Sequence, residues 1–408
     1  MSTSLSTKLA SAKTSLGKRD SKLSKTVGYY AGFVILGLVI ASLGPTLLSL
    51  SEQTQSQISQ ISYLFTARSL GYMLGSVYSG RLYDRMAGHH VLVGMLIVIA
   101  VMVFLVPLIP LLWLLILVML IMGGAEGGLD VGSNTLLIWI YRDKVGSYMN
   151  GLHFFFGVGA FVSPLIIAWA VLVSGDITIG YWILALLVLP VVVWLLRLES
   201  PEHPSEVEKN RAGKINYLLV LLVAAFLFLY VGAEASYGGW IYTFAIQQLN
   251  LSGLASAAYL TSAFWGALTL GRLLSIPIAT RYRPRTILLV DLIGCLVSIA
   301  IILIWSQSIL AIWISTLGLG LFMASIFPTT LSLAERRMMI TGRVTGWFFV
   351  GVGAGAMTIP WMVGQLFEGV GPQVLLFVLA LDLLLAFGLY IWLISISNRT
   401  AEIYTSSE

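Results

Sequence analysis

The chain has 408 residues, of which 58% are hydrophobic and only 10% are charged, and its mean hydropathy is +0.93. Soluble domains carry about 25% charged residues, so this composition excludes a water-soluble fold. The 23 Lys and Arg residues exceed the 18 Asp and Glu residues. The positions of these basic residues in the loops, described below, account for the excess of positive charge, so no nucleic-acid partner is expected.

Apolar runs long enough to cross a bilayer as helices recur along the whole chain. A spanning helix needs about 20 apolar residues, whereas the strands of a membrane barrel are shorter and alternate in polarity. We therefore predict an all-α membrane protein with twelve transmembrane helices. The first six spans are predicted over residues 27–50, 59–83, 91–109, 111–141, 148–174 and 178–198. The second six are predicted over residues 216–246, 254–282, 286–306, 308–335, 343–368 and 372–396.

A polar stretch divides these spans into two halves. Residues 199–215 contain two prolines, four Glu and three basic residues, which is typical of a linker. We expect residues 27–198 to form an N-terminal six-helix bundle and residues 216–396 to form a C-terminal one. Residues 1–26, which are basic and rich in Ser and Thr, are predicted to be a disordered tail, and residues 397–408 a second tail.

The two halves match each other at a constant offset of 196 residues. The matching pairs are Tyr63 and Tyr259, Gly75 and Gly271, Arg85 and Arg281, Gly124 and Gly320, Gly157 and Gly353, Gly159 and Gly355, and Pro164 and Pro360. Matches that include Tyr, Arg and Pro favour a duplication over a chance alignment of common glycines. Because each half has an even number of spans, both halves enter the membrane from the same side. The predicted pseudo-two-fold repeat is therefore parallel.

The basic residues predict the orientation in the membrane. Of the 23 Lys and Arg residues, 21 lie in the tails, the linker and the loops after even-numbered spans, while Arg68 and Arg272 lie within spans. By the positive-inside rule, both termini and the linker are predicted to be cytoplasmic. We expect a multi-pass monomer in the lipid bilayer of a bacterial inner membrane.

The loop after the second span carries a recognisable motif, Gly80-Arg-Leu-Tyr-Asp84-Arg85-Met-Ala-Gly88-His-His. It resembles the loop 2–3 motif of the major facilitator superfamily, which combines a Gly, an Asp-Arg pair and a further Gly with basic residues. The resemblance implies a twelve-helix transporter and a cytoplasmic gate formed by Gly80, Asp84, Arg85 and Gly88. Asp84 is expected to face the start of span eleven, and Arg85 is expected to pair with Asp143.

Segments in spans four, five and seven favour one group within this superfamily. They are Glu126-Gly-Gly-Leu-Asp130-Val-Gly-Ser-Asn134, His153-Phe-Phe-Phe-Gly157-Val-Gly159 and Glu234-Ala-Ser-Tyr237-Gly-Gly-Trp240. Together they resemble the fucose permease and sodium-dependent glucose transporter group. The resemblance implies that Glu126 is a proton-coupled carboxylate, by its position in the motif. Span one lacks the additional aspartate of the fucose permease type.

Charged side chains at membrane depth cost roughly 2.5–3.5 kcal/mol on insertion scales, so they mark candidate functional sites. Glu126, Asp130 and Asn134 lie one helical turn apart on one face of span four. Two adjacent carboxylates repel each other when both are ionised, which favours a bound proton or cation. We predict that Glu126 and Asp130 bind the coupling ion, H⁺ or Na⁺. The alternative is that one of them is a structural partner of Arg68.

A second set of residues is predicted to contact the solute. This set consists of Asn134, His153, Arg68, Glu234, Tyr237, Trp240, Trp265 and Trp361. In span seven, Tyr237 and Trp240 could stack on a sugar ring while Glu234 accepts hydrogen bonds from hydroxyl groups. The pair Gly238-Gly239 predicts a weak point in that helix. For Trp265 and Trp361, packing is the simpler interpretation.

The sequence predicts a secondary transporter that works by alternating access, not an enzyme. It contains no phosphate-binding Gly-x-x-x-x-Gly-Lys motif and no His/Cys metal cluster, so neither a cofactor nor a metal is expected. The preferred hypothesis is import of a small neutral polar solute, a sugar, with H⁺ or Na⁺. The alternative is a proton-driven exporter of amphipathic or cationic compounds. Asp291 is expected to reach Arg281 or Arg285, and Asp382 receives no role.

Overall fold

The computed structural model describes the backbone of residues 2–202, 216–249, 254–338 and 342–405, and all regular elements within these ranges are helices. The N-terminal half comprises α1 (Ser2–Gln53), α2 (Ile58–Ile61), α3 (Tyr63–Tyr83), α4 (Gly88–Leu105), α5 (Leu112–Tyr141), α6 (Gly146–Ser174) and α7 (Thr178–Leu196). The C-terminal half comprises α8 (Tyr217–Leu249), α9 (Leu254–Arg281), α10 (Pro284–Ile304), α11 (Ile309–Met323), α12 (Ile326–Glu335), α13 (Gly342–Val370) and α14 (Val374–Thr405).

These helices confirm the predicted all-α membrane fold. Within the described residues, eleven helical segments are long and apolar enough to cross a bilayer, with α11 and α12 forming one of them. The remaining predicted span corresponds to α2 and α3. Polar residues, among them Arg68 and Arg81, make α3 less apolar than the other spans.

Both ends of the chain are more helical than the sequence analysis predicts. Residues 2–26, expected to be a disordered tail, continue α1 towards the N-terminus, and α14 continues beyond residue 396 to Thr405. Residues 2–26 contain no proline and interleave Lys, Leu and Ala, which all have favourable helix propensities. Most of the predicted linker, residues 203–215, lies outside the described residues.

Two helices differ from their predicted continuity. The predicted span 308–335 is interrupted between Met323 and Ile326, which separates α11 from α12. Pro328 explains this interruption, because a proline has no backbone N–H and clashes with the carbonyl group four residues earlier. Conversely, α8 passes unbroken through Gly238-Gly239. That pair gives close approach to the other half instead, since a Cβ at Gly239 would lie 2.7 Å from the ring of Phe65.

The two halves meet along two seams that the repeat relates to each other. In the first seam, α6 packs on α9, and a Cβ added to Gly157 would lie 2.1 Å from Oγ1 of Thr269. In the second, α13 packs on α3, and a Cβ added to Gly353 would lie 2.2 Å from Cγ of Met73. The two glycines and their two partners are each 196 residues apart. The same contact is therefore made twice, with the roles of the halves exchanged.

Polar contacts join the halves at the end of the bundle opposite the termini, which we call the far face. Nε2 of Gln365 donates to the carbonyl oxygen of Ser59 at 2.7 Å and to Oγ of Ser62 at 3.1 Å. Oγ of Ser59 lies 3.3 Å from both carboxylate oxygens of Glu368. These contacts hold α2 against α13. The end that carries both termini is called the terminal face.

Candidate functional site

Glycines allow α3 and α5 to cross at close range. A Cβ at Gly71 would lie 2.0 Å from the carbonyl oxygen of Leu120, and a Cβ at Gly75 would lie 1.9 Å from that of Gly124. Such small residues are typical where membrane helices approach closely. The two helices run in the same direction, so side chains one turn apart on α3 face side chains one turn apart on α5.

The first of these pairs is an ion pair between Arg68 of α3 and Glu126 of α5. Nε of Arg68 donates to Oε2 of Glu126 at 2.9 Å, and Nη2 donates to Oε1 at 2.5 Å. Nη1 also donates to the carbonyl oxygen of Ile40 in α1 at 3.3 Å. Arg68 is 8% exposed and Glu126 is 1% exposed. The acid predicted to pair with Arg68 is thus Glu126, and each residue neutralises the other.

The second pair joins Tyr72 of α3 to Asp130 of α5. One carboxylate oxygen of Asp130 accepts a hydrogen bond from the Tyr72 hydroxyl, and the other accepts one from Nδ2 of Asn134 at 2.8 Å. Asp130 and Asn134 are half-buried. Asp130 forms no ion pair within the part of the chain that the structure describes. Asp130 is therefore a half-buried acid whose carboxylate is held by two neutral donors.

The C-terminal half contributes a looser charged pair. Oε1 of Glu234 in α8 lies 3.9 Å from Nη2 of Arg272 in α9, and both side chains are partly exposed. The hydroxyl group of Tyr230 donates to the Glu234 carboxylate and lies 3.0 Å from the carbonyl oxygen of Met323. Met323 is the last residue of α11. Tyr230 therefore connects Glu234 to the interruption between α11 and α12.

His153 of α6 brings the N-terminal half towards this pair. Its side chain is exposed, and its ring makes an edge contact with Phe33 at a centroid distance of 5.7 Å. Arg272 of the other half lies within electrostatic range of the His153 ring. His153 and Arg272 thus bring charged or polar groups of the two halves near each other, and Asp130 and Glu234 are also partly exposed.

Two residues that were predicted to stack on a solute are buried in this structure. The Tyr237 hydroxyl lies 2.7 Å from Oγ1 of Thr316, and the side chain is fully buried. Trp240 is also fully buried, and its Nε1 donates to the carbonyl oxygen of Pro360 at 3.0 Å while its ring packs against Phe65. The sequence places both rings on α8 but does not specify which of its faces turns inward. Both rings therefore pack at buried contacts between helices.

Trp265 and Trp361 lie where the halves meet. Trp265 is 6% exposed and makes an edge contact with Phe156 at 6.2 Å, while Trp361 is half-buried with its ring 6.2 Å from that of Tyr63. The indole N–H groups of both tryptophans are buried without a hydrogen-bond partner among the described residues. Since buried donors are normally satisfied, these two groups are available to a ligand or to water.

The predicted gate motif lies at the terminal face. The side chains of Asp84 and Arg85 are exposed and form no hydrogen bond or ion pair with the described side chains. Asp143, the expected partner of Arg85, has a side chain outside the described set. So do residues 341–343 at the start of span eleven, which Asp84 was expected to face. A Cβ at Gly88 would lie 2.5 Å from Cδ2 of Leu136, whereas Gly80 has open space beside it.

The two remaining buried acids, Asp291 and Asp382, lie on α10 and α14 of the C-terminal half. Asp291 was expected to reach a basic residue of the loop before α10, but it accepts a hydrogen bond from Ser325 instead. Ser325 lies in the interruption between α11 and α12, which brings its hydroxyl towards α10. Asp382 is 3% exposed, and its carboxylate oxygens have no partner among the described residues. Among those residues no group of three or more His, Cys, Asp or Glu side chains could hold a metal ion.

Two six-helix halves related by a parallel repeat, with polar groups between them, define the architecture of a transporter. The sequence profile of the Major Facilitator Superfamily matches residues 29–360. The chain belongs to this superfamily, as the loop motif predicts. A crystal structure of a point mutant of the nucleoside transporter NupG has the same fold. It aligns with a TM-score of 0.71 at 15% identity and covers 92% of this chain and 99% of that one.

Curated relatives narrow the resemblance. Sodium-dependent glucose transporter 1 of Xenopus laevis is 33% identical over 365 residues, which are 82% of this chain and 74% of that protein. Sodium-dependent glucose transporter 1A of Mus musculus is 31% identical over 83% of this chain and 88% of that protein. The mouse Major facilitator superfamily domain-containing protein 4A is 28% identical over 86% of this chain and 87% of that protein. These relatives confirm the predicted family group, and the protein is a multi-pass membrane transporter rather than an enzyme.

Proposed function

We propose that this transporter imports a small neutral polar solute, a sugar, together with a coupling ion, H⁺ or Na⁺. The observation that carries the proposal is the contrast between two acids one turn apart on α5. Glu126 is neutralised by Arg68, whereas Asp130 is partly exposed and has only neutral hydrogen-bond donors. A carboxylate of this kind can take up and release a cation as the site opens and closes. The names of the two glucose transporter relatives favour Na⁺ and a hexose.

The charge balance of the site supports a neutral solute. The two arginines within the spans, Arg68 and Arg272, each lie beside a carboxylate. Neither is left as a free cation for an anionic cargo. Glu234 and Asp130 can accept hydrogen bonds from hydroxyl groups, and the unpartnered indole N–H of Trp265 can donate one. This combination of acceptors, donors and aromatic edges suits a hydroxyl-rich molecule.

The positive-inside rule supports a cytoplasmic terminal face, which carries nearly all basic residues. In this orientation the halves are joined at the outer end, through Gln365 and Glu368. The structure then corresponds to a conformation that faces the cytoplasm. The exposed Asp84 and Arg85 would form their contacts only when the terminal face closes, which is the role of a gate in alternating access.

The decisive experiment is uptake of labelled hexoses into proteoliposomes, with the pH gradient and the Na⁺ gradient imposed separately. Accumulation above equilibrium with one of these gradients supports symport and names the ion. Equilibration without accumulation under either gradient would replace symport by facilitated diffusion. Competition with a panel of lipophilic cations addresses the alternative, since inhibition by these compounds but not by hexoses would indicate an exporter of cations.

A further inference from the structure

A groove of about 680 Å³ opens on the outer surface of the N-terminal half, near the terminal face. It lies between the beginning of the membrane part of α1 and the end of α7, away from the polar site between the halves. Its walls are largely apolar side chains, and one cationic side chain lies at its end. The residues that matter here are Leu186, Leu189, Pro190, Val193, Trp194 and Arg197.

The shape of the groove follows from the sequence of α7. Pro190 lies inside this helix and cannot bond to the carbonyl group of Leu186, so the helix surface is uneven at this level. One turn further on, Nε1 of Trp194 donates to the carbonyl oxygen of Ser24 in α1 at 3.2 Å. A Cβ at Gly28 would lie 2.8 Å from Cδ2 of Leu195, so α1 and α7 are in close contact beside the groove. The groove is thus a built feature of this helix pair.

The apolar part of the groove faces outward. Leu186 is 64% exposed and Leu189 is 49% exposed, although both belong to a helix that is apolar enough to cross the membrane. In a bilayer these side chains contact hydrocarbon chains. An acyl chain can therefore lie in a recess here, where it contacts more apolar surface than on a flat helix face.

Positive charge lies at the end of the groove near the terminal face. Arg197 directly follows α7, is exposed, and forms no ion pair within the described part of the chain. Lys25 of α1 lies within electrostatic range of His89, whose Nδ1 is 2.9 Å from the carbonyl oxygen of Leu198, another lining residue. Lys22 is exposed one turn before Lys25. Basic residues at the end of an apolar span are expected at the level of the lipid headgroups, which places the cationic end of the groove there.

We propose that this groove binds an anionic phospholipid, with one acyl chain along Leu186, Leu189 and Val193 and the headgroup phosphate beside Arg197. Basic residues at the membrane surface attract anionic lipids, and a long apolar recess below them adds contacts that a headgroup alone cannot make. Charge complementarity selects an anionic lipid over a zwitterionic one of the same chain length. The site is independent of the solute and of the coupling ion.

Native mass spectrometry of the full chain in detergent can test this proposal. Phosphatidylglycerol, phosphatidylcholine with the same acyl chains, and chain-free glycerophosphoglycerol would each be titrated. We expect phosphatidylglycerol to bind most tightly, and Arg197→Gln to weaken it about fivefold, the effect of about 1 kcal/mol per basic residue. Arg197→Lys should retain the preference. Arg283→Gln, which removes an exposed charge from the same face of the other half, should leave the affinity unchanged.

Several results would overturn the proposal. Equal binding of the two lipids would exclude selection by charge, and an equal loss in Arg283→Gln would show general attraction to the terminal face. If glycerophosphoglycerol binds as tightly as phosphatidylglycerol, the site binds the phosphate and the apolar groove contributes nothing. Leu189→Trp, which fills the groove, should lower phosphatidylglycerol affinity while thermal unfolding in detergent shows that the variant is folded. Undiminished affinity in that folded variant would place the lipid elsewhere.

Discussion

Arg68 and Glu126 form a buried ion pair with two hydrogen bonds, and this pair ties α3 to α5 inside the N-terminal bundle. The third guanidinium nitrogen bonds to the backbone of α1. One side chain therefore fixes the relative positions of three helices. The pair is best understood as a structural element of the bundle, and the proposed coupling ion is assigned to Asp130, which forms no ion pair among the described residues.

Glu126→Gln should destabilise the protein more than it alters ion dependence. The substitution leaves the Arg68 guanidinium buried without its countercharge, and removal of one partner from a buried pair costs about 3–5 kcal/mol. We expect a clear fall in the midpoint of thermal unfolding in detergent. The double variant Arg68→Gln with Glu126→Gln should recover much of this loss. If the single and double variants are equally unstable, the pair is not the source of the effect.

Asp130→Asn should uncouple transport. An amide keeps the shape of the side chain but cannot take up a proton or hold a cation by charge, so accumulation driven by a gradient should fall at least about tenfold. Exchange of labelled for unlabelled solute, which needs no net ion movement, should persist. Asp176→Asn is the matched control, because Asp176 is an exposed acid that bonds only within its own turn. Retained accumulation in Asp130→Asn would assign coupling to another group.

Gly353→Ala should impair the conformational change and should be rescued by Met73→Ala. The new Cβ would lie 2.2 Å from Cγ and 2.4 Å from Sδ of Met73, and these atoms are absent in alanine. Overpacking of this kind costs about 1–3 kcal/mol. Gly346→Ala, two turns earlier on α13 with open space around it, is the control. Uptake rates of Gly353→Ala, Met73→Ala, the double variant of the two and Gly346→Ala provide the measurement. Failure of Met73→Ala to restore uptake in the double variant would point away from this seam.

Gln365→Ala should favour opening of the far face. It removes two hydrogen bonds between the halves, each worth about 1 kcal/mol, so the ratio of closed to open molecules should fall roughly 10- to 30-fold. Labelling of a cysteine introduced at Ile61, a fully buried residue of α2 that does not bond to Gln365, reports on accessibility from that face in a background without Cys295. Gln247→Ala changes an exposed glutamine near the end of α8 and should have no effect. Equal labelling in the presence and absence of the Gln365 side chain would show that this residue does not help to close the far face.

The sequence predicts the helices well because their ends follow from apolar length, glycine and proline. The fourth span was predicted at residues 111–141 and is found at Leu112–Tyr141. The interruption between α11 and α12 was missed, although Pro328 was the available signal. The helical N-terminal residues were missed because composition alone does not distinguish a polar helix from a coil.

The candidate site was only partly predictable, for a reason that lies in packing. Helical periodicity places Glu126, Asp130 and Asn134 on one face, as the structure shows, but it cannot tell which acid meets Arg68. Tyr72 was not predicted as the partner of Asp130, although its position one turn after Arg68 on α3 was an available signal. Gln365 is an ordinary polar residue near a helix end, and only the contact between halves reveals it.

The two glycine contacts have a mechanical consequence. Gly157 against Thr269 and Gly353 against Met73 lie well inside their helices and on opposite seams, so a line drawn through them crosses the molecule between the bundles. A rigid half that touches the other half at two such points can tilt about this line while both contacts are kept. The duplication thus supplies two pivot contacts. Tilting of one half about the line through them would widen the gap between the halves at one face of the molecule and narrow it at the other.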